Sequence, residues 1–145
     1  KNAGIADKEY YNKSEYDEKF YQLWRKLQRE KLVKHSIELY PNDTKLLGML
    51  GNIYLEQYDY DSAEKTFKRA KKVNNQDVQI LAGLAEALER GEKADEALEN
   101  VLDALDIDPT NNDLKKRYVQ TLLSAKQIDA VQQDTKEKIN PFKNK

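Results

Sequence analysis

Residues 44–77 read TKLLGMLGNIYLEQYDYDSAEKTFKRAKKVNNQD, and residues 78–111 read VQILAGLAEALERGEKADEALENVLDALDIDPTN. Laid over one another without a gap, apolar positions meet apolar positions. Leu47 falls on Leu81, Leu50 on Leu84, Gly51 on Ala85 and Tyr54 on Leu88. Ala63 then falls on Ala97, Phe67 on Val101, Ala70 on Ala104 and Val73 on Ile107. A fixed period of 34 residues marks an array of like units, each too small to bury its own apolar face. Within the first unit, Leu46, Leu47, Leu50, Tyr54 and Leu55 recur at helical spacing, and Ala63, Phe67, Ala70 and Val73 form a second stripe. The segment Gln57 to Asp61 separates the stripes, as Arg90-Gly91-Glu92 does in the second unit. Gly91 is the residue expected to take the left-handed turn, and Pro109 ends the second unit. Gly51, Ala63, Ala85 and Ala97 are small where two antiparallel helices must approach, and Tyr54, Phe67, Leu88 and Val101 fill the layer between them.

The same register extends both ways. Downstream, Tyr118, Val119 and Leu122 fall on the first-helix core positions of a degenerate third unit over 112–140, with Asn112 as its expected N-cap. Ile128, Val131, Thr135 and Ile139 would line its second helix, a thin core suited to a water-facing terminal repeat. Residues 141–145 are expected to fray after Pro141. Upstream, Ser14 to Asp17 looks like a capping-box start. An aromatic stripe follows over 14–43, carried by Tyr16, Phe20, Leu23, Trp24 and Leu27, as one long helix or a tight pair. Residues 1–13 are expected to be flexible.

At this point the chain resembles the tetratricopeptide repeat family. The bulky residue, Leu-Gly, Tyr, Ala, Phe and Ala of the family pattern are matched by Leu47, Leu50-Gly51, Tyr54, Ala63, Phe67 and Ala70. The second unit matches through Leu81, Leu84-Ala85, Leu88, Ala97, Val101, Ala104 and Pro109. Departures are Leu47 and Leu81 for the frequent tryptophan, Asn75 for proline and Tyr58 for the turn glycine. The resemblance implies an all-α solenoid of antiparallel helix pairs, a right-handed superhelix whose first helices line a concave groove. By register it puts Lys45, Gly48, Met49, Asn52 and Glu56 on that surface. Gln79, Ala82, Gly83, Glu86 and Arg90 follow from the second unit, then Asp113, Lys116, Arg117 and Gln120 from the third. Two readings compete for Gly48, Ala82 and Gly83: room for a ligand side chain beside the adaptable Met49, or close packing between neighbouring units. Chaperone-binding members clamp a terminal carboxylate with five groove groups. Only Asn52 and Arg117 of those are present here. Gly48, Gly83 and Asp113 stand in place of lysine, asparagine and lysine, so that ligand is not expected.

Composition narrows the remaining classes. The 145 residues suffice for one domain, and 25 basic against 26 acidic groups give no general affinity for nucleic acid. There is no cysteine and a single histidine, His35, so thiolate metal sites, disulfides and histidine clusters are out of reach. No apolar run is long enough to span a membrane. No phosphate-binding loop, nucleophile elbow or metal-ligand spacing is present, so neither a cofactor nor an enzyme is expected. Charge is segregated: residues 1–43 stand at +1, 44–111 at −6 and 112–145 at +4. The acidic stretch from Glu86 to Asp108 suits a basic partner, or simply a wet convex face.

Seven of the thirteen aromatic residues precede Pro41. Tyr16, Phe20 and Trp24 are expected to plug the open end of the solenoid. Tyr10, Tyr11 and Tyr21 are candidates for a second interaction surface, toward a partner, a second copy or the protein's own groove. The reading is therefore a non-catalytic module that binds a peptide or helix of another protein, with a homo-oligomeric scaffold as the alternative. Cytoplasm and periplasm both suit such a soluble chain. Its start at Lys1 suits a processed form or a piece of a longer protein.

Overall fold

The computed structural model describes residues 13–139, which form six α-helices with no strand among the described residues. These are α1 (Lys13–Leu39), α2 (Thr44–Glu56), α3 (Tyr60–Val73), α4 (Val78–Arg90), α5 (Ala94–Ile107) and α6 (Asn112–Ile139). The chain divides into two compact units, Lys1–Pro41 and Asn42–Lys145. In the second, each helix packs on the next, and α2 also meets α4 as α4 meets α6. Those next-but-one contacts join helix pairs into an all-α helical-repeat solenoid.

The period is written into the helix starts. Asp43, Asp77 and Asn111 cap α2, α4 and α6, each accepting from the backbone N–H two and three residues on. A cap side chain satisfies donors that no helix turn can reach. The cap of α6 is thus Asn111, one residue before the expected Asn112. Ser14 falls within α1, and its side chain lies outside those described. The turns are periodic too. The N–H groups of Asp59 and Lys93 reach back to the carbonyls of Tyr54 and Leu88 at 2.9 and 2.8 Å, closing Schellman turns. The left-handed residues in them are Tyr58 (φ 60°) and Glu92 (φ 65°), whereas Gly91 has φ −82°. The glycine thus sits one position too early to supply the turn.

Packing is tightest around Phe67, which is 1% exposed. A Cβ placed on Gly51 of α2 or Gly83 of α4 would come within 2.5 Å of its ring. The ring therefore lies against bare backbone from two successive units. Leu47, Leu81, Leu84, Leu88, Val101 and the alanines 63, 70, 97 and 104 are buried with it. Val73 and Ile107, at the ends of their stripes, are 44% and 36% exposed because their helices stop there.

The third unit departs from expectation. From Asn112 to Ile139 the chain is one continuous helix, and no second antiparallel helix forms. Its buried side chains are Leu114, Thr121 and Ala125, while Val119 is 56% exposed and Tyr118 and Leu122 are half-buried. Leu114 and Thr121 stand one period after Ile80 and Ala87, the face of α4 that looks toward a neighbouring unit. The face carrying Tyr118, Val119 and Leu122 would need a second helix to cover it. Ser124-Ala125-Lys126-Gln127 offers no breaker, so the helix continues. Two hydroxyls tie it down: Thr121 Oγ1 and Ser124 Oγ each donate to the Glu89 carboxylate at 3.1 Å. The side chains of Ile128, Val131, Thr135 and Ile139 lie outside those described.

In the first unit, residues 14–39 belong to one helix and not to a pair. Val33 and Ile37 are its buried hydrophobics. Tyr16, Phe20 and Trp24 are 59%, 71% and 48% exposed.

Ion pairs dress the second helices. Lys93 Nζ donates to Glu64 at 2.9 Å across α3 and the start of α5, and Lys68 lies 3.4 Å from the same carboxylate. Partial burial would raise the Glu64 pKa, but the Lys93 hydrogen bond and the two ammonium charges outweigh it and hold it below the ordinary value. The Lys71 ammonium donates to Asn100 Oδ1 at 2.8 Å, and Asn100 Nδ2 donates to the Glu96 carbonyl at 2.9 Å, which satisfies a buried amide between α3 and α5.

Two stability measurements follow from these contacts. Gly83→Ala is expected to cost about 1–3 kcal/mol, because its methyl must displace the Phe67 ring. Urea denaturation should show most of that loss recovered in the Gly83→Ala, Phe67→Leu double variant relative to Phe67→Leu alone. Glu92→Gly is expected to stabilise by about 0.5–1 kcal/mol, since the left-handed backbone then carries no Cβ. A rise in thermal midpoint checks it.

Candidate functional site

Because α2, α4 and α6 start at caps one period apart, equivalent turns of the three first helices carry equivalent residues. The register expected to face a ligand falls on Lys45, Gly48, Met49 and Asn52 in α2. In α4 it falls on Gln79, Ala82, Gly83, Glu86 and Arg90, and in α6 on Lys116, Arg117 and Gln120. Between α4 and α6 lies a cavity of about 370 Å³ lined by Val78, Gln79, Ala82, Asn111, Asp113, Leu114, Lys116, Arg117 and Gln120. Gln79, Ala82, Lys116, Arg117 and Gln120 are thus brought together, with Asp113 beside them. Val78, Asn111 and Leu114 were missed by sequence reasoning. Their signal was available: Val78 and Leu114 lie just inside helix starts, and Asn111 stands one period after Asp77.

The α2 residues do not line this cavity. Lys45, Met49 and Asn52 are exposed on α2, with Met49 at 47%. Gly48 is half-buried, and a Cβ there would sit 3.1 Å from Ile80 Cδ1 on α4. Gly83 is buried against Phe67 and offers nothing to a ligand. Of the two readings of these glycines, close packing between neighbouring units is the one realised at Gly83. Ala82 is half-buried, packed beside the Leu81–Ala104–Leu114 cluster and forming part of the cavity wall.

The electrostatics centre on Glu86, which lies between two guanidinium groups. Arg90 Nη2 is 2.9 Å from its Oε1, one helical turn away on α4, and Arg117 Nη2 is 3.7 Å from its Oε2, across on α6. Asn111 is occupied at both ends: Oδ1 caps α6, and Nδ2 donates to Asp108 Oδ2 at 3.1 Å. The side chains available to a ligand are therefore the amides of Gln79 and Gln120, the Lys116 ammonium and the apolar wall of Val78, Ala82 and Leu114. Such a surface can hold a peptide backbone by amide hydrogen bonds and one small apolar side chain; it carries no nucleophile–base pair.

Elsewhere, Tyr21 is 49% exposed on α1, stacked on Trp24 at 6.1 Å, with the Arg25 guanidinium 5.7 Å from the centre of its ring. Tyr10 and Tyr11 lie outside the described residues. His35 is at the surface, 3.6 Å from Glu38. The acidic run is exposed over much of α5, where Lys68 and Lys71 of α3 approach Glu96 and Asp103. Among the described residues, no group of three or more His, Cys, Asp or Glu side chains could hold a metal ion. Among them, too, no helix is long and apolar enough to cross a membrane.

Comparison with known proteins agrees with this geometry. Residues 32–65 match the family model described as tetratricopeptide repeat, a stretch running from the end of α1 through α2 into α3. No curated protein matches the chain by sequence. Among solved structures, the first tetratricopeptide domain of Spaghetti (RPAP3), bound to the HSP90 peptide SRMEEVD, is similar with a TM-score of 0.67 at 14% identity, covering 77% of this chain and 88% of that one. The second such domain of human RPAP3, in complex with the HSP70 peptide SGPTIEEVD, gives 0.64 at 17% identity over 74% and 90%. TTC0263, a tetratricopeptide protein of Thermus thermophilus, gives 0.62 at 28% identity over 68% of this chain, which spans half of its length. Residues 32–65 thus carry a tetratricopeptide repeat by sequence, and the helix-pair architecture of the chain is similar to that of solved tetratricopeptide domains.

Proposed function

We propose that the chain is a non-catalytic protein-interaction module, an adaptor that holds a peptide or helix of a partner protein against its first helices. The observation that carries this reading is the cavity between α4 and α6, where the amides of Gln79 and Gln120 and the cations Lys116 and Arg117 surround an apolar wall. Paired amides satisfy the N–H and C=O groups of an extended backbone, and the wall takes one side chain. The two RPAP3 domains of the same fold hold peptides, which supports the class of ligand and not its identity. Lys45, Met49, Asn52 and Arg90 extend the surface along the same register. The partner is another protein; neither nucleic acid nor a cofactor is part of this reading.

The test is capture from a peptide array by the intact chain and by Gln79→Trp and Gln120→Trp variants. Both side chains are exposed, so the variants should fold and keep the wild-type circular dichroism while losing capture at least tenfold. Peptides held equally by wild type and variants would place the binding surface elsewhere and end this reading.

A second reading has its own observation. Tyr16, Phe20, Leu23, Trp24 and Leu27 form one stripe on α1, all about half exposed or more. An apolar face of that kind suits assembly with a second copy, in which Tyr10, Tyr11 and Tyr21 would take part. Light scattering on the intact chain and on Phe20→Lys separates the two. A dimer that becomes a monomer in the variant puts self-assembly first, and a monomer in both leaves the stripe out of self-association.

A further inference from the structure

The face of α4 that carries Leu84, Ala85 and Leu88 is 1%, 0% and 0% exposed, and α4 packs closely on α5. In α6 the residues one period later are Tyr118, Val119 and Leu122, and no second helix covers them. Val119 is 56% exposed there, with Leu123 at 55% beside it. Two exposed lysines, Lys115 and Lys126, bound this bare face at either end. They stand 11 residues apart, about 16 Å along a helix.

The outer face of α5 carries a matching pattern. Asp95, Glu99, Leu102 and Asp106 recur at helical spacing and are all exposed, Leu102 at 44%. Asp95 and Asp106 are again 11 residues apart, and Leu102 precedes Asp106 by four residues as Val119 follows Lys115 by four. Run antiparallel, the two faces align Asp106 with Lys115, Leu102 with Val119, Glu99 with Leu122 and Asp95 with Lys126. Among the described residues, the side chains of Asp95, Glu99, Asp106, Lys115 and Lys126 enter no ion pair or hydrogen bond. They do not meet within one chain, because α5 and α6 already pack through other sides. Leu105 lies against the cluster that holds Ala104 of α5 and Leu114 of α6. The two free faces lie about a quarter to a third of a turn away from those residues.

We infer that a second copy of this chain covers the bare face of α6 with the outer face of its own α5, the reverse pair forming by two-fold symmetry. The α5–α6 pairs of the two copies then make an up-down bundle in which every neighbour is antiparallel. Val119, Leu122, Leu123 and Leu102 supply its apolar contact. The rim ion pairs add little affinity each, and they choose partner and register. Two α6 helices cannot serve in place of this pair: the register that sets Val119 on Leu122 also sets Lys115 on Lys126, like charge on like. None of the residues lining the cavity between α4 and α6 belongs to either face, so the dimer leaves that cavity open. The inference goes beyond the adaptor reading and uses a surface other than the α1 stripe.

Charge reversal on the intact chain tests it by sedimentation equilibrium. Wild type is expected to be a dimer that weakens with added salt. Lys115→Glu, Lys126→Glu and, separately, Asp95→Lys, Asp106→Lys should each weaken dimerisation at least tenfold while keeping the wild-type circular dichroism. An equimolar mixture of the two double variants should regain the dimer, because each α6 then meets an α5 of opposite charge, and native mass spectrometry should show the mixed species. Phe20→Lys should leave this dimer intact. A monomeric wild type, a dimer that survives both double variants, or a mixture that stays monomeric overturns the inference. None of these results bears on the adaptor reading, which stands or falls on the array with the Gln79→Trp and Gln120→Trp variants.

Discussion

The stack depends on one ring lying against two backbones. Phe67 projects from α3 into the space where α2 and α4 pass, and both helices present glycine to it. A glycine in a helix interior costs about 1 kcal/mol relative to alanine, and this chain bears that cost twice to seat one aromatic side chain. The return is a close approach of three helices from two successive units, which orders α2 and α4 side by side. The spacing set at Phe67 also fixes the distance between the first helices α2 and α4. Close packing transmits such a constraint, since interiors of this density have little room to absorb a shift.

The second constraint is polar and acts at the far end of the same surface. Cap residues at 43, 77 and 111 start the three first helices in phase, so equivalent side chains line up. Glu89 accepts from Thr121 and Ser124, and Glu86 faces Arg90 and Arg117; both carboxylates bridge α4 to α6. A buried hydroxyl and a half-buried guanidinium would each be costly without a partner. These two contacts therefore hold α6 in place although it lacks the second helix that a complete unit would supply. The same contacts neutralise charge on α4 and α6.

The turns carry backbone strain of their own. Tyr58 and Glu92 adopt left-handed backbone, one period apart, without the glycine that makes that conformation cheap. The Schellman hydrogen bonds at both turns hold the strained residue in place. Tyr58 is 75% exposed and stacks edge-on with Tyr60 at 6.5 Å, so its side chain takes part in no core.

The sequence alone determined the period, the helix pairs and the residues that pack within a pair, because a helical stripe repeated at 34 residues has one economical way to bury itself. Ala63, Phe67, Ala70, Leu81, Leu84, Leu88, Ala97, Val101 and Ala104 were legible for that reason, and all are buried. What the stripe could not distinguish is a small residue facing a ligand from a small residue facing a neighbour: both leave an open position on a helix. Only tertiary packing decided that Gly83 meets the Phe67 ring. It likewise decided that α6 buries Leu114 and Thr121 while Val119 stays exposed, because burial there depends on whether a second helix turns back to cover that face. The pairing of Glu86 with Arg117 spans two helices and 31 residues of chain; no local pattern encodes it, since it exists only once α4 and α6 lie side by side.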